Sequence, residues 1–254
     1  MKNIHIYTKI LSSNRYKYIV VVLLLLAIAF LLHQRNRIVV WAWERNENLT
    51  FLDSDIVVAY YAGSVIIEHG RMTIAKRVQP LKLSANTDVI PVVRIDNFDT
   101  PKDLTQERMK QVEKFVLTLC SQDYVVGCQI DFDAKSSERP WYSSLITLVR
   151  SKLPDNIPLS ITALVSWCDT YSWLNDTKID FTVPMFYRLG PDEQTIMGGY
   201  TGKTFMGSPK CSSAIGVTTD EPIPKRKYIG NRDIYIFNPN SWTEQELKRI
   251  LKII

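Results

Sequence analysis

Two carboxylates near the middle of the chain have the spacing that acid–base chemistry needs. Asp131 and Asp133 end an apolar run that begins at Val126 and is typical of a buried strand. Side chains alternate across a strand, so Gln129, Asp131 and Asp133 share one face, with the two acids about 7 Å apart along the backbone. Buried carboxylates cost free energy unless they are paired, hydrogen-bonded or used in a reaction. The pattern predicts an acid–base site, unless Asp133 only caps a helix that follows.

The elements that must position these acids follow residue 37. Eight apolar, β-branched runs are predicted to be strands, and several lack polar alternation, as strands covered on both faces do. They are Ile38–Trp43, Ile56–Tyr61, Val89–Ile95, Val125–Phe132, Pro158–Ala163, Ile179–Tyr187, Ala214–Thr218 and Ile234–Phe237. Helices are predicted at Leu104–Leu119, Trp141–Leu153 and Thr243–Ile253, and Thr243 and Glu246 have the spacing of a capping box.

Eight strands alternating with helices over 217 residues predict an α/β fold, a compact (β/α)8 TIM-type barrel near the lower size limit for that architecture. Two stretches depart from the alternation. Ser64–Ile67 and Met72–Lys76 are typical of a β-hairpin, and residues 190–211 form a Gly-rich loop of the kind that shapes an active face. An open doubly wound sheet is the alternative, disfavoured because no Gly-x-Gly-x-x-Gly turn follows the first strand.

The N-terminal segment has the pattern of a membrane anchor. Tyr18–Leu32 contains no charged residue, and lysines and arginines flank it on both sides. We predict a basic cytoplasmic tail at 1–17, a transmembrane signal anchor at 18–35 and the barrel at 38–254. The positive-inside rule predicts a single pass through the inner (cytoplasmic) membrane, with the barrel on the periplasmic or extracellular side. Cleavage after Ala29 is the alternative, and it would release the barrel.

The charge of the barrel region argues against a nucleic-acid partner. Residues 1–37 carry six Lys or Arg and no acid, whereas the whole chain has a net charge of +5, so residues 38–254 have a net charge of −1. No basic run interleaved with aromatic residues changes this expectation. A nucleic-acid partner is therefore not expected, and the N-terminal segment predicts the membrane as a partner. The sequence gives no indication of an oligomeric state.

The cysteines and histidines of the sequence argue against metal-dependent and Ser-His-Asp chemistry. Cys120, Cys128, Cys168 and Cys211 are too scattered for a zinc motif or a disulfide scaffold, although one disulfide of unknown pairing is compatible with export. Three histidines, two of which flank the anchor, give neither a Ser-His-Asp arrangement nor a metal site. No metal and no cofactor is expected.

In a barrel of this kind, functional residues lie where the strands end in the C-terminal direction. Aromatic rings stack on sugar rings, and carboxylates and amides bind sugar hydroxyls, so an aromatic and acidic rim predicts a carbohydrate site. The predicted substrate-binding residues are Gln129, Trp41, Trp43, Glu44, Arg94, Asp96, Trp167, Met185, Arg188 and Asn238. Arg94 and Asp96 share a face of their strand, which predicts an ion pair or, alternatively, an arginine that grips an anionic group.

Two segments resemble the chitinase-type (family 18) glycosidases. Residues 126–133 are similar to the signature Asp-Gly-x-Asp-x-Asp-x-Glu, with Asp131 on its last Asp and Asp133 in place of the acid Glu. The other two carboxylates of the signature are absent. Residues 184–188 are similar to the Met-x-Tyr-Asp motif, with Arg188 where Asp is expected. Residues 38–254 also resemble bacterial membrane-anchored barrels of unknown function that carry Trp-x-Trp-Glu and Gln-x-Asp-Phe-Asp strands.

The glycosidase resemblance implies retaining, substrate-assisted cleavage of an N-acetylated sugar polymer. Asp133 would protonate the leaving glycosidic oxygen, Asp131 would orient and polarise the acetamido group, and Tyr187 would hydrogen-bond its carbonyl. Asp133 is one methylene shorter than Glu, and a displacement of about 1 Å can cost on the order of a hundredfold in rate.

Other assignments remain open at the level of sequence. Asp133 could form a plain carboxylate pair across the barrel with Asp96 or Glu44, and their separation would then decide between retention and inversion. A barrel that binds a sugar or a protein partner without catalysis, or an envelope scaffold, would also fit the missing carboxylates, because a fold does not fix an activity.

Overall fold

The computed structural model describes residues 17–24, 36–169, 172–190, 207–224 and 229–254. The chain divides into two units, residues 1–36 and 37–254. In the first unit, residues 17–24 are helical and exposed. Within the described ranges, no helix has both the length and the apolarity that crossing a membrane requires. Most of the predicted tail at 1–17 and anchor at 18–35 lies outside the described residues.

Eight parallel strands form a closed barrel in the second unit. The first strand pairs with both the second and the last strand of the set, which closes the sheet. Closure contradicts the alternative of an open doubly wound sheet, and all eight predicted strands are present. They are β1 (Ile38–Ala42), β3 (Val57–Glu68), β6 (Val89–Asn97), β7 (Cys128–Asp131), β8 (Leu159–Leu164), β9 (Phe181–Met185), β10 (Ala214–Thr218) and β11 (Asp233–Phe237).

The second unit contains the α-helices α1 (Gln106–Cys120), α2 (Arg139–Arg150) and α3 (Glu244–Leu251) outside the barrel. They match the predicted helices to within a few residues at their ends. The helix α3 begins after Thr243, whose side chain accepts a hydrogen bond from the Glu246 amide at 3.1 Å. The Glu246 carboxylate pairs with Arg249, so it does not complete the predicted capping box.

The connections do not have the regular alternation of a complete (β/α)8 barrel. The helices α1, α2 and α3 follow β6, β7 and β11, whereas 3-10 turns at Val165–Cys168 and Trp173–Asp176 follow β8. Between β1 and β6 the connections are β-structured, with β2 (Glu47–Asn48) and β5 (Leu81–Lys82) paired to each other. Residues 43–56 contain two Asn, two Asp, one Ser and one Thr, which favour turns over helix. The predicted loop at 190–211 lies mostly outside the described residues.

The strand β3 is longer than predicted, and it forms an arm with β4 (Arg71–Lys76). The predicted strand Ile56–Tyr61 and the first half of the predicted hairpin are one continuous element, with a register shift between Tyr61 and Gly63. A Cβ at Gly63 would lie 2.4 Å from the Ala75 carbonyl oxygen and 2.7 Å from the Phe115 ring. Only glycine lets β4 and α1 approach β3 so closely at this point.

Side-chain parity decides what faces the barrel interior. Cys128 and Ile130 belong to the core between the strands and the helices, so Gln129 and Asp131 point inward, as the alternation predicts. The interior itself is filled by aliphatic and aromatic residues, including Trp41 and Tyr235, whose ring centroids are 5.3 Å apart. These residues form a packed layer beneath the C-terminal strand ends.

All four cysteines are paired. Cys120–Cys128 joins the end of α1 to the first residue of β7, and Cys168–Cys211 joins the 3-10 turn after β8 to the segment before β10. The sequence analysis allowed one disulfide and assigned no pairing. Two are present because the packing of the chain around β8, β9 and β10 brings together cysteines that are 43 positions apart in the second case.

Candidate functional site

Asp131 is the last residue of β7, and its carboxylate lies at the mouth of the barrel with only 9% of the residue exposed. Its Oδ1 accepts a hydrogen bond of 2.5 Å from Thr162 Oγ1 on β8, and its Oδ2 lies 3.8 Å from Arg94 Nη1 on β6. Burial raises the pKa of Asp131 to about 6; the Thr162 hydrogen bond and the Arg94 charge lower the pKa, whereas Asp133 raises it. The carboxyl group therefore exchanges its proton near neutral pH.

Asp133 lies two residues beyond the end of β7 and is exposed. Displacement of water by the surrounding protein raises the pKa of Asp133, with Arg94 lowering it and Asp96 raising it further. The helix α2 begins six residues later with Glu138 as its N-cap, so Asp133 does not cap it. A solvent-accessible acid with a raised pKa can donate a proton at a higher pH than an ordinary aspartic acid can.

Arg94 and Asp96 form the ion pair expected from their shared face of β6. The Arg94 Nε lies 2.9 and 3.1 Å from the two Asp96 oxygens, and Nη2 lies 3.0 Å from Oδ1. These hydrogen bonds, opposed by burial, raise the pKa of Arg94, so its positive charge is permanent. Because the guanidinium faces both Asp96 and Asp131, its charge is largely balanced by the protein, which favours a bracing role over capture of an anion.

Tyr187 lies close enough to the two acids for their charges to affect it. It is half-buried, packs against the interior residues and stacks on Phe237 with ring centroids 5.8 Å apart. Burial raises the pKa of Tyr187, and the negative charges of Asp131 and Asp133 raise it further. The phenol therefore stays neutral and able to donate a hydrogen bond. Met185, the last residue of β9, is half-buried as well.

Trp41 and Gln129 lie in the barrel interior and bond to each other. The Trp41 indole Nε1 donates to Gln129 Oε1 at 2.9 Å, and Gln129 Nε2 donates to Ser160 Oγ at 3.2 Å. Gln129 is fully buried and Trp41 is 3% exposed. Gly216 leaves room for the indole, because a Cβ there would lie 3.1 Å from the ring. Both residues were predicted to bind substrate, and this arrangement favours a supporting role beneath the two acids.

The first strand ends in a second rim group that includes Trp43 and Glu44. Trp43 is half-buried and tilts against Tyr61 at a centroid distance of 5.7 Å, while Glu44 is exposed. Burial raises the pKa of Tyr61, which also hydrogen-bonds with Ser64 and Glu44 and lies near Arg94. The sequence analysis did not select Tyr61, although its position at the end of a predicted strand was a usable signal.

Three predicted binding residues make their contacts in other places. Trp167 is buried against Trp173, with their centroids 5.3 Å apart. Arg188 is exposed and forms ion pairs with Asp220, at 2.6 Å, and with Glu221. Buried Asn238 braces its own loop: its Oδ1 accepts hydrogen bonds from the Thr219 hydroxyl at 3.0 Å and the Asn240 amide at 3.1 Å.

The described ranges contain no group of three or more His, Cys, Asp or Glu side chains that could hold a metal ion. Three of these acids instead lie around Arg94, which is hydrogen-bonded to Asp96, lies 3.8 Å from Asp131 and lowers the pKa of Asp131 and of Asp133 by its charge. The arrangement offers one exposed acid, one buried acid and one neutral phenol at the same mouth. Such a set can donate a proton and orient a polar substrate group.

A comparison with known proteins finds a family match for part of the chain. Residues 86–178 match the profile of a family described as a domain of unknown function (DUF3142). The match includes Arg94, Asp96, Asp131 and Asp133 but not Tyr187. No curated protein and no solved structure gives a significant match. The similarity is to an uncharacterised family, and it supplies no activity.

Proposed function

We propose that this chain is a carbohydrate-active protein, a hydrolase of glycosidic bonds in an N-acetylated or other envelope polysaccharide. One observation carries the proposal. The two acids, Asp131 and Asp133, lie at the barrel mouth with raised pKa values, one buried and the other exposed to solvent. Because their environments differ, the two carboxyl groups can take different roles, one as the proton donor and the other as the group that orients the substrate.

Each side chain has a role that its surroundings support. Asp133, exposed and with a raised pKa, protonates the leaving glycosidic oxygen. Asp131 is held by Thr162 and Arg94, and it orients the acetamido group of the sugar on the other side of the bond. Tyr187 remains protonated and donates a hydrogen bond to the acetamido carbonyl. Together these roles describe a retaining, substrate-assisted cleavage.

A location outside the cytoplasm belongs to the same proposal. Disulfides form and persist in oxidising compartments, and this barrel contains two of them, Cys120–Cys128 and Cys168–Cys211. The uncharged segment Tyr18–Leu32 with its basic N-terminal flank is the sequence feature that favours tethering to the inner membrane, N-terminus in. A tethered hydrolase would act on polymers of the cell envelope.

A specific observation also favours a second candidate, a barrel that binds sugar without cleaving it. Arg94 faces Asp131 and is paired with Asp96, so a cation lies among the acids. At the position where glycosidases place an Asp beside the tyrosine, Arg188 is paired with Asp220 and Glu221 and supplies no carboxylate. Tight positioning of sugar without turnover would use the same mouth.

A hydrolysis assay of the full-length chain tests the proposal. N-acetylglucosamine oligomers and isolated envelope polysaccharides are incubated with the wild type, with Asp133→Asn and with Asp155→Asn, an exposed acid in the turn between α2 and β8. We expect turnover by the wild type and by Asp155→Asn, and at least a hundredfold loss in Asp133→Asn with an unchanged circular dichroism spectrum. Normal turnover by Asp133→Asn would contradict the assignment of the acid. Binding without turnover by the wild type would select the second candidate.

A further inference from the structure

The sheet extends beyond the barrel rim on one side of the candidate site. The strand β7 ends at Asp131 opposite Arg94, but β6 continues to Asn97 and β3 to Glu68. On the other side of β3, β1 ends at Ala42 opposite Tyr60, and β4 takes its place from Gly63 onward. The strands β6, β3 and β4 therefore form a wall that rises above the acids.

The pairing register shows which side chains cover the inner face of this wall. Residues that pair directly point to the same side of a sheet, so Asp131, Arg94, Ser64 and Ala75 form one row across four strands. The next row consists of Asp96, Ile66 and Thr73, and the last contains Glu68 and Arg71.

The opposite face of the wall is covered on β3 and β6. Val65, Ile67, Val93 and Ile95 are buried in the core that includes the apolar side of α1. The inner face, by contrast, is polar or exposed at Thr73, Ala75, Glu68 and Arg71. On β3 and β6 the face towards α1 is therefore covered, whereas β4 is exposed on both faces, including Ile74. On the inner face Ser64 is buried, and the groups open to a ligand lie above it.

Phe98 completes the inner face at its upper end. Its amide donates to the Ile67 carbonyl at 2.9 Å, which continues the β6 ladder by one residue, and its parity matches that of Arg94 and Asp96. The residue is 66% exposed, in contrast to the buried residues of the other parity. An exposed aromatic ring in line with a row of polar groups is the form that a stacking platform for a sugar takes.

The charges of the wall indicate what kind of polymer it suits. Arg94 is paired with Asp96, and Arg71 lies opposite Glu68 in the register, so the face has no excess of either sign. A balanced surface of hydroxyls, aliphatic groups and one aromatic ring favours an uncharged chain over an anionic one. Phe98 is four strand positions beyond Arg94, about 13 Å, which is more than the length of one pyranose ring.

We propose that the inner face of the β3–β4–β6 wall, with Phe98 as its stacking residue, binds several consecutive units of an uncharged polysaccharide beside the acids. This inference rests on the carbohydrate function proposed above and deepens it. The site is then an extended one that accepts a polymer along its length, with one unit at Asp133 and a more distant unit on Phe98.

The proposed role of the wall is tested by binding experiments with the full-length chain. The ligands are N-acetylglucosamine oligomers of increasing length. Affinity is measured by titration calorimetry in the Asp133→Asn background, so that hydrolysis does not consume the ligand. We expect affinity to increase from the dimer to the hexamer. Phe98→Ala should weaken hexamer binding about tenfold and leave dimer binding unchanged. Phe98→Trp keeps an aromatic ring and should bind the hexamer about as tightly as the protein with Phe98. Tyr124→Ala is the matched control, because this exposed aromatic lies at the opposite end of the strands.

The outcomes separate the two proposals. If Phe98→Ala binds the hexamer as tightly as the Asp133→Asn protein that carries it, the proposed binding role of the wall is wrong. Hydrolysis that depends on Asp133 would still support the proposed function. Length-dependent binding through Phe98 with no hydrolysis by the wild type would support the wall and contradict catalysis. An absence of any oligomer binding would contradict both proposals.

Discussion

Thr162 Oγ1 and Asp131 Oδ1 are 2.5 Å apart across the boundary between β8 and β7, in a position where Asp131 is almost fully buried. This contact joins a residue of one strand end to the acid of its neighbour. It opposes the effect of burial, which raises the pKa of the carboxyl group, and it fixes the orientation of that group. The Thr162 hydroxyl is therefore a positioning group for the buried acid, and its removal gives a direct test.

Replacing Thr162 with Val removes the donor while keeping a similar shape. Because the hydrogen bond lowers the pKa of Asp131, we expect the pKa of Asp131 to rise above its value of about 6 in Thr162→Val. Thr162→Ser keeps the hydroxyl and should leave the pKa near its original value. NMR titration of the side-chain carboxyl carbon measures all three proteins. An unchanged or lower pKa in Thr162→Val would show that the hydroxyl does not bond to the charged form.

The buried acid also makes stability depend on pH. The pKa of Asp131 is 3.8 in the unfolded reference and about 6 in the fold, so between these values the folded chain binds more protons than the unfolded chain. The free energy of unfolding attributable to Asp131 then decreases as pH rises, by about 3 kcal/mol in all, of which about 2 kcal/mol is lost between pH 4 and pH 6.

The variant Asp131→Asn has no proton to lose in this range. Urea denaturation of both proteins should show the unfolding free energy of Asp131→Asn increasing relative to the wild type by about 2–2.5 kcal/mol between pH 4 and pH 7. The comparison removes the contribution of other acids, because these are common to both proteins. Parallel pH curves would mean that Asp131 has the same proton affinity in both states.

The bond between Trp41 and Gln129 should contribute to stability because both groups are buried. Trp41→Phe leaves the Gln129 Oε1 without its donor, and we expect a loss of about 1–3 kcal/mol in urea denaturation, in addition to the cost of the smaller ring. In the double variant with Gln129→Leu, the loss should be smaller than the sum of the single losses, since neither partner then lacks its bond. Simple additivity would indicate that the two side chains are not coupled.

The two disulfides should differ in their effect on stability. In the chain-entropy description, a longer closed loop restricts the unfolded chain more, which gives about 4 kcal/mol for the pair 43 positions apart and about 2.5 kcal/mol for the pair 8 apart. The double variant Cys168→Ser with Cys211→Ser should therefore lose more unfolding free energy than Cys120→Ser with Cys128→Ser. Peptide mapping without reduction checks the pairing itself, and recovery of Cys120 linked to Cys168 would contradict the fold.

Local patterns were enough to predict the strands and the faces of the central one. The apolar runs predicted eight strands, and the alternation along residues 126–133 placed Gln129 and Asp131 on the same side, because both patterns depend only on backbone periodicity. The 3.6-residue pattern likewise predicted α1, α2 and α3. The prediction of a regular (β/α)8 alternation was wrong for the connections between β1 and β6, which are β-structured. The number of strands alone does not show which connections contain an amphipathic helix.

The sequence by itself determined the eight barrel strands, the three helices and the shared face of Gln129 and Asp131. Only the tertiary structure decided that Thr162 and Arg94 contact Asp131, that Trp41 bonds to Gln129, and that the cysteines form two pairs. The physical reason is that periodicity fixes directions within one element, whereas distances between elements depend on register and barrel closure. Trp41 and Gln129 are 88 positions apart, and no local pattern specifies that they meet.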